Sequence, residues 1–375
     1  MNLAFILESS FNSGGIERML TTIANAMSEV HNVSAITAFN EGRKDFFPFN
    51  EKVKRIDLCI VRNNYKKRTK LKNEYKERLG HWLKENPQDI VISLGSLEFF
   101  FLPYINDGSK KIFWFHFAFN YDIMTSRQSS NKLINVLIGK VKRMRRIKIA
   151  KKYDTVVVLS KKDYESWHKY LNNVTFIYNP ITISPQPVID YGIKRAIAVG
   201  RIEYQKGFDY LVQAWAITNR KFPDWKLDIY GGGATKEIEY LQSIINRYNL
   251  QGIVNLKGRT DNITKAYSEH SFMILSSRYE GFALVLVEAA ACGLPLVSFD
   301  CKQGPSEIIE DGRNGYLVSP VGNVEELARK IMILMNSLKK RKAMGRVAFK
   351  MSAHYGIPNI KREWLNLFES MNKRT

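Results

Sequence analysis

Cysteine is scarce, with only Cys59, Cys292 and Cys301 in a chain of 375 residues. The number is odd and no C-x-x-C spacing occurs, which speaks against a disulfide framework and against a zinc site, so three reduced core thiols are expected. Long apolar runs are missing too. None approaches the roughly 18 to 20 residues that span a bilayer, and the first residues read as a strand without a basic segment or a cleavage site, so a cytoplasmic protein is expected. No G-x-G-x-x-G fingerprint is present, and no acidic residue follows a second strand as a dinucleotide site would need. Nor is there a D-x-D pair for a metal, a helix-turn-helix spacing, a zinc pattern or an aromatic-studded RNA motif. Negative charge is the scarcer sign: 36 acidic residues stand against 57 basic ones, a net charge of +21.

What is present is a packed α/β chain. Hydrophobic residues make up 45% and aromatic residues 12%, enough for a core and too much for disorder. The length fits two domains of about 100 to 200 residues each. Apolar strands are expected at 3–7, 33–39, 90–94, 111–115, 155–159 and 174–177, and a second series at 196–199, 227–230, 254–256, 272–275 and 296–299, with helices between them. Residues 179–192 (NPITISPQPVIDYG) carry three prolines and no periodicity and read as a linker. Strands alternating with helices predict a doubly wound parallel sheet in each half. The expected domains are 1–180 and 181–355, with a last helix at 356–375 presenting Trp364, Leu367 and Phe368 on one face.

Three short blocks carry the chemistry. In residues 280–288 (EGFALVLVE), Gly281 and the apolar run after it read as a loop entering a buried helix, whose free N–H groups suit a phosphate. If the whole stretch were helical, Glu280 and Glu288 would lie about 12 Å apart at ~1.5 Å per residue. That is too far for a glycosidase pair, whose carboxyls sit roughly 5 to 9.5 Å apart. The span suits a ribose and a hexose on either side of a diphosphate. Upstream, Gly200 ends an apolar strand and is followed by Arg201, Lys206 and Gly207, cations at a strand-to-helix turn. At the amino terminus, Gly14 and Gly15 open an amphipathic helix after the first strand. Each block alone has an ordinary reading as well: solvated loop charges, a structural helix glutamate, a simple turn.

Together they resemble the retaining family-4 glycosyltransferases of the GT-B fold, most clearly over residues 196–320. The resemblance implies two Rossmann-like domains facing a cleft, with the terminal helix crossing back to the first. It implies transfer of a hexose or N-acetylhexosamine from a nucleoside diphosphate sugar with retention, without cofactor or metal. Glu280 would orient sugar hydroxyls, and Glu288 would bind the ribose diol. Gly14, Gly15, Gly200, Arg201, Lys206 and the stretch Gly281, Phe282, Ala283 and Leu284 would hold the diphosphate or sugar. Ala283 stands where the family often has a second small glycine, and its methyl would narrow the sugar pocket. His116, after the strand-like KIFWFH, matches by position a histidine that contacts the donor sugar; a structural histidine among aromatics is the alternative. The form GPSEII at 304–309 looks like enzymes that build bacterial surface polysaccharides from UDP-sugars on lipid carriers.

Residues 1–180 hold 30 basic against 17 acidic residues. The excess gathers at 62–78 and in Lys140–Lys152, which has eight cations and no acid. Ile134, Leu137, Ile138, Val141 and Met144 make a helical stripe beside the latter. Such a helix suits an anionic membrane surface, hence a peripheral site on the inner face of the membrane, or it packs on its own sheet. Aromatics at 99–104 would add a hydrophobic foot or join the core. The rivals are a GT-B-fold protein without catalysis, a phosphorylase-like enzyme for which no pyridoxal-phosphate lysine is identified, and a basic nucleic-acid binder; no specific nucleic-acid partner is expected.

Overall fold

The computed structural model describes residues 1–62, 68–126, 132–185 and 190–372. It divides into two compact units, Met1–Pro180 with Ile357–Thr375, and Ile181–Gly356. The first unit runs β1 (Asn2–Leu7), α1 (Gly15–Met27), β2 (Asn32–Thr37), β3 (Val53–Asp57), α2 (Arg68–Glu85), β4 (Ile90–Ser93), β5 (Lys110–Trp114), α3 (Tyr121–Ser126), α4 (Lys132–Ala150), β6 (Thr155–Val158), α5 (Lys161–His168) and β7 (Val174–Phe176). Its strands form one parallel sheet in the order β3-β2-β1-β4-β5-β6-β7.

The second unit runs β8 (Arg195–Val199), α6 (Phe208–Asn219), β9 (Lys226–Tyr230), α7 (Thr235–Arg247), β10 (Val254–Gly258), α8 (Ile263–Ser268), β11 (Phe272–Leu275), α9 (Leu284–Ala291), β12 (Leu296–Phe299), α10 (Pro305–Ile308), β13 (Gly315–Val318), α11 (Val324–Asn336) and α12 (Leu338–Ser352). Its sheet is again parallel, in the order β10-β9-β8-β11-β12-β13. The central strands read as continuous apolar runs because helices cover both faces of such sheets. FMIL in β11 and LVSF in β12 are buried at every position. The chain reverses its winding direction between β1 and β4 and again between β8 and β11, and ligands collect at such points outside the carboxyl ends of the strands.

Two strands escape the sequence pattern. β3 is VKRID, an edge strand whose lysine and arginine are exposed, and β13 is the four-residue edge GYLV. Edges tolerate charge and short length, so β3 shows no apolar run and β13 only a short one.

The last helix, α13 (Ile357–Asn372), belongs to the first unit. It buries Ile360, Trp364, Phe368 and Met371, a stripe at helical spacing. Trp364 meets Trp114 of β5 edge to face at 4.9 Å, Phe368 lies beside His31, and Lys361 pairs with Glu29. Of the 99–104 aromatics, Phe99 and Phe101 are core, and Tyr104 is exposed. The idea of an aromatic foot is corrected accordingly: those rings pack on Phe113, Tyr153 and Tyr75.

Candidate functional site

The carboxyl ends of β8 and β11 bring two of the three blocks together. After β8 the chain makes a short turn at Tyr204–Lys206 and enters α6 through Gly207, which is left-handed at φ 60°. A Cβ there would lie 2.2 Å from the Ser276 carbonyl oxygen, so glycine is required by both its conformation and the closeness of the loop after β11. The stem of Lys206 lies against Gly200. Its Nζ donates to Glu280 Oε1 at 2.7 Å, and Ser277 Oγ donates to the same oxygen at 2.6 Å. Both side chains are largely enclosed, 15% and 6% exposed. A pair this deep is costly to break on one side, typically 3 to 5 kcal/mol, because the remaining charge stays buried.

Arg278, a residue with no distinguishing sequence motif, laces the two loops. Arg278 grips both oxygens of Asp209 on α6, at 2.9 and 2.6 Å, and donates to the Tyr204 carbonyl at 2.6 Å. Its guanidinium lies over the rings of Tyr204 and Tyr210 at 4.0 and 4.2 Å. Arg278 N donates to Gln205 O, Gln205 Nε2 to Tyr279 O, and Ser276 Oγ to Lys206 O. The fork geometry of arginine makes such a two-oxygen grip directional as well as strong. From sequence, Arg278 is one loop cation among many, and only spatial closeness reveals its work.

The spacing between the two glutamates is corrected here. Helix α9 begins at Leu284, with Ala283 as its N-cap, so Glu280, Gly281 and Phe282 are loop and a helical rise from 280 does not apply. The run of apolar residues hides this start, since no Ser, Thr or Asp marks the cap. Glu288 is 2% exposed and sits inside α9's second turn. Thr182 Oγ1 donates to its Oε1 at 2.6 Å and Tyr267 OH to its Oε2 at 3.3 Å. Thr182 falls in the segment read as a linker, of which 186–189 lie outside the described residues.

Arg201 is not drawn into this cluster: its side chain is 76% exposed and pairs with Glu203 at 3.1 Å. The loop after β12 closes the other side of the motif. A Cβ on Gly304 would be 3.4 Å from Ala283 N and from Glu280 Cβ. Buried Cys301 lies near enough to Glu280 and Lys206 to feel both charges, and burial pushes its thiol up, so it stays protonated. Among the described residues, no three His, Cys, Asp or Glu side chains gather as metal ligands would.

The remaining candidates lie in the first unit. Gly14 caps α1 in an extended conformation. A Cβ there would lie 2.2 Å from Glu17 Oε2, so a carboxylate is folded over this helix entrance. His116 follows β5, its ring 4.3 Å from Trp114. The residue as a whole is half-buried, and Nε2 is enclosed without a protein partner. Desolvation holds its pKa down to about 3, so the imidazole is neutral at ordinary pH.

A family model, glycosyl transferases group 1, matches residues 181–351. Over 371 residues the chain is 31% identical to an uncharacterized glycosyltransferase of Haemophilus influenzae, covering 96% of this chain and 98% of that one. Over 378 residues it is 26% identical to the GalNAc-alpha-(1->4)-GalNAc-alpha-(1->3)-diNAcBac-PP-undecaprenol alpha-1,4-N-acetyl-D-galactosaminyltransferase of Campylobacter jejuni, with 98% of each covered. Among solved structures, TarM of S. aureus, in a complex with UDP, superposes with a TM-score of 0.80 at 18% identity, over 98% of this chain and 99% of that one. The two parallel-sheet units are those of the GT-B fold. The chain belongs to the group 1 glycosyltransferases and is a glycosyltransferase.

Proposed function

We propose that the protein transfers a hexose or N-acetylhexosamine from a UDP-sugar to a lipid-linked saccharide, with retention and without a metal, in the assembly of a surface polysaccharide. The observation that carries this reading is the Lys206–Glu280 pair at the carboxyl ends of β8 and β11 in a member of this family. Lys206 neutralises charge that grows on the leaving diphosphate, and Glu280, freed in part from that lysine, orients sugar hydroxyls. Glu288 takes the ribose diol. Arg201 swings from Glu203 to the phosphates, and Gly14, Gly15, Gly200 and residues 281–284 allow backbone to approach them. Neutral His116 offers its unpartnered Nε2 to a sugar hydroxyl. UDP in the TarM complex and the undecaprenol-linked acceptor in the Campylobacter enzyme's name support the donor and acceptor classes. Hydrolysis of UDP-glucose, UDP-galactose, UDP-GlcNAc, UDP-GalNAc and GDP-mannose, with and without EDTA, tests it. One UDP-sugar should be cleaved with or without EDTA. Cleavage of none, or strict dependence on added Mg²⁺ or Mn²⁺, contradicts the reading.

The acceptor's lipid motivates a membrane contact through α4. Leu133, Ile134, Leu137, Ile138, Val141 and Met144 are 43 to 86% exposed, and Lys140, Lys142, Arg145 and Lys148 are exposed beside them. A stripe of this kind with flanking cations fits an anionic interface. No helix among the described residues is long and apolar enough to cross a membrane. Arg146 is excluded from the membrane face because it is buried against Asp122, and Arg143 bonds Asn120. Changing Lys140, Lys142, Arg145 and Lys148 to Gln should release the protein from anionic vesicles, each cation contributing about 1 kcal/mol. Equal binding by the variant at low salt would end the idea.

A further inference from the structure

The loop after β12 holds a group that the chemistry above leaves unused. Gln303 is 1% exposed, and both ends of its side-chain amide, Oε1 and Nε2, are enclosed without a hydrogen-bond partner in the protein. A buried polar group left idle costs stability, and here two donor hydrogens and an acceptor are idle at once. Such a group calls for a partner that the protein does not supply.

Its place in the fold says which partner. β11 and β12 are parallel neighbours, with Leu275 opposite Ser298, so the residues that follow them emerge side by side. One follows into Glu280, the other into Gln303. Two residues before Gln303, Cys301 feels the charges of Glu280 and Lys206. One residue after it, Gly304 stands against Glu280 and Ala283. The idle amide therefore sits in a segment whose flanking residues, Cys301 and Gly304, lie close to Glu280. A neutral amide adds no charge for a diphosphate, which Lys206 already faces. It does match a hydroxyl, which donates and accepts in turn.

We infer that Gln303 is a specificity-determining residue of the donor site and binds a hydroxyl of the transferred sugar; this rests on the donor-site reading proposed above. The amide is preorganised by its buried loop, and the sugar completes its hydrogen bonds. Its idle state in the free protein is a stability cost held for recognition, as happens at functional sites.

Gln303→Leu, similar in size and apolar, tests this through three readouts: thermal unfolding without ligand, UDP affinity by calorimetry, and kcat/KM for hydrolysis across the four UDP-sugars. The expected result is an unfolding temperature equal to or above wild type, unchanged UDP affinity, and a loss of tenfold or more in kcat/KM for the sugar the wild type prefers. A lower unfolding temperature with kcat/KM unchanged would make the amide a structural group and overturn the inference. Equal losses for UDP and for the intact UDP-sugar would overturn its assignment to the sugar. Wild-type protein that neither binds UDP nor cleaves any of the four sugars would overturn the donor-site reading itself, a result distinct from the other two. If the leucine variant fails to fold, Gln303→Met carries the same comparison.

Discussion

Both units reverse their winding at the middle of a parallel sheet, yet the two reversals carry opposite chemistry. Between β8 and β11, Lys206 and Glu280 form an enclosed ion pair, and Arg278 ties the two loops into one piece. Between β1 and β4 the groups are carboxylates. Glu8, one residue past β1, accepts from Leu97 N and meets an exposed Arg62 at 3.5 Å. Glu98 is fully buried, accepts from Ser93 Oγ and Ser96 N, and leaves Oε2 idle. Burial raises its pKa to about 7, with Glu8 adding to the shift. The same backbone winding thus carries an enclosed lysine–glutamate pair in one unit and acid groups in the other. A fold of this kind sets where a site lies, and the loop residues decide what charge it accepts.

Each unit has its own sheet and core, so the two should be stabilised separately. Trp364 is fully buried on the first unit against Trp114, so Trp364→Ala should cost about 3 to 5 kcal/mol there. Urea unfolding should split into two steps, with the second unit's transition unmoved. A single shifted transition for the whole chain would count against separate stability.

Glu98 sharpens the contrast at the first reversal. Its folded pKa lies above the unfolded value, so its share of stability is full below about pH 4.5 and is lost as pH rises through about 7. The loss is on the order of 3 kcal/mol at 1.36 kcal/mol per pH unit. Glu98→Gln should remove that decline in a stability profile between pH 4 and 8. An unchanged slope would show that Glu98 is not the acid responsible.

Glu288 supplies the smallest effect. If it adds a charge-assisted bond to a ribose diol, Glu288→Gln should weaken UDP binding by roughly 1.5 to 3 kcal/mol, read by calorimetry. Wild-type affinity in that variant would confine Glu288 to its bonds with Thr182 and Tyr267.

The fold was legible where strands are buried on both faces, because FMIL, LVSF and similar runs announce themselves without context. It was not legible at the edges, where VKRID hides a strand among charges. The blocks that hold Lys206 and Glu280 were legible by their distinctive pattern, and the structure brings those two side chains together. Arg278 and Gln303 were not, since a loop arginine and a loop glutamine look alike whether solvated or enclosed. The basic segment at 62–78 falls partly at 63–67, outside the described residues, as does residue 131 at the expected start of the basic helix. In α4 the sequence counted cations correctly but not their partners: Arg146 belongs to Asp122.

In the proposed function, the Lys206–Glu280 pair handles the leaving diphosphate and the sugar. The direct measurement is steady-state hydrolysis of the preferred UDP-sugar by wild type, Lys206→Met and Glu280→Gln, with folding checked by thermal unfolding. Methionine keeps an apolar stem over Gly200, and glutamine keeps the acceptor for Ser277. Lys206→Met should lose about 10²-fold or more in kcat, the scale of removing one preorganised donor. Glu280→Gln should lose more in kcat than in UDP affinity. Folded variants with wild-type kcat and UDP affinity would contradict it.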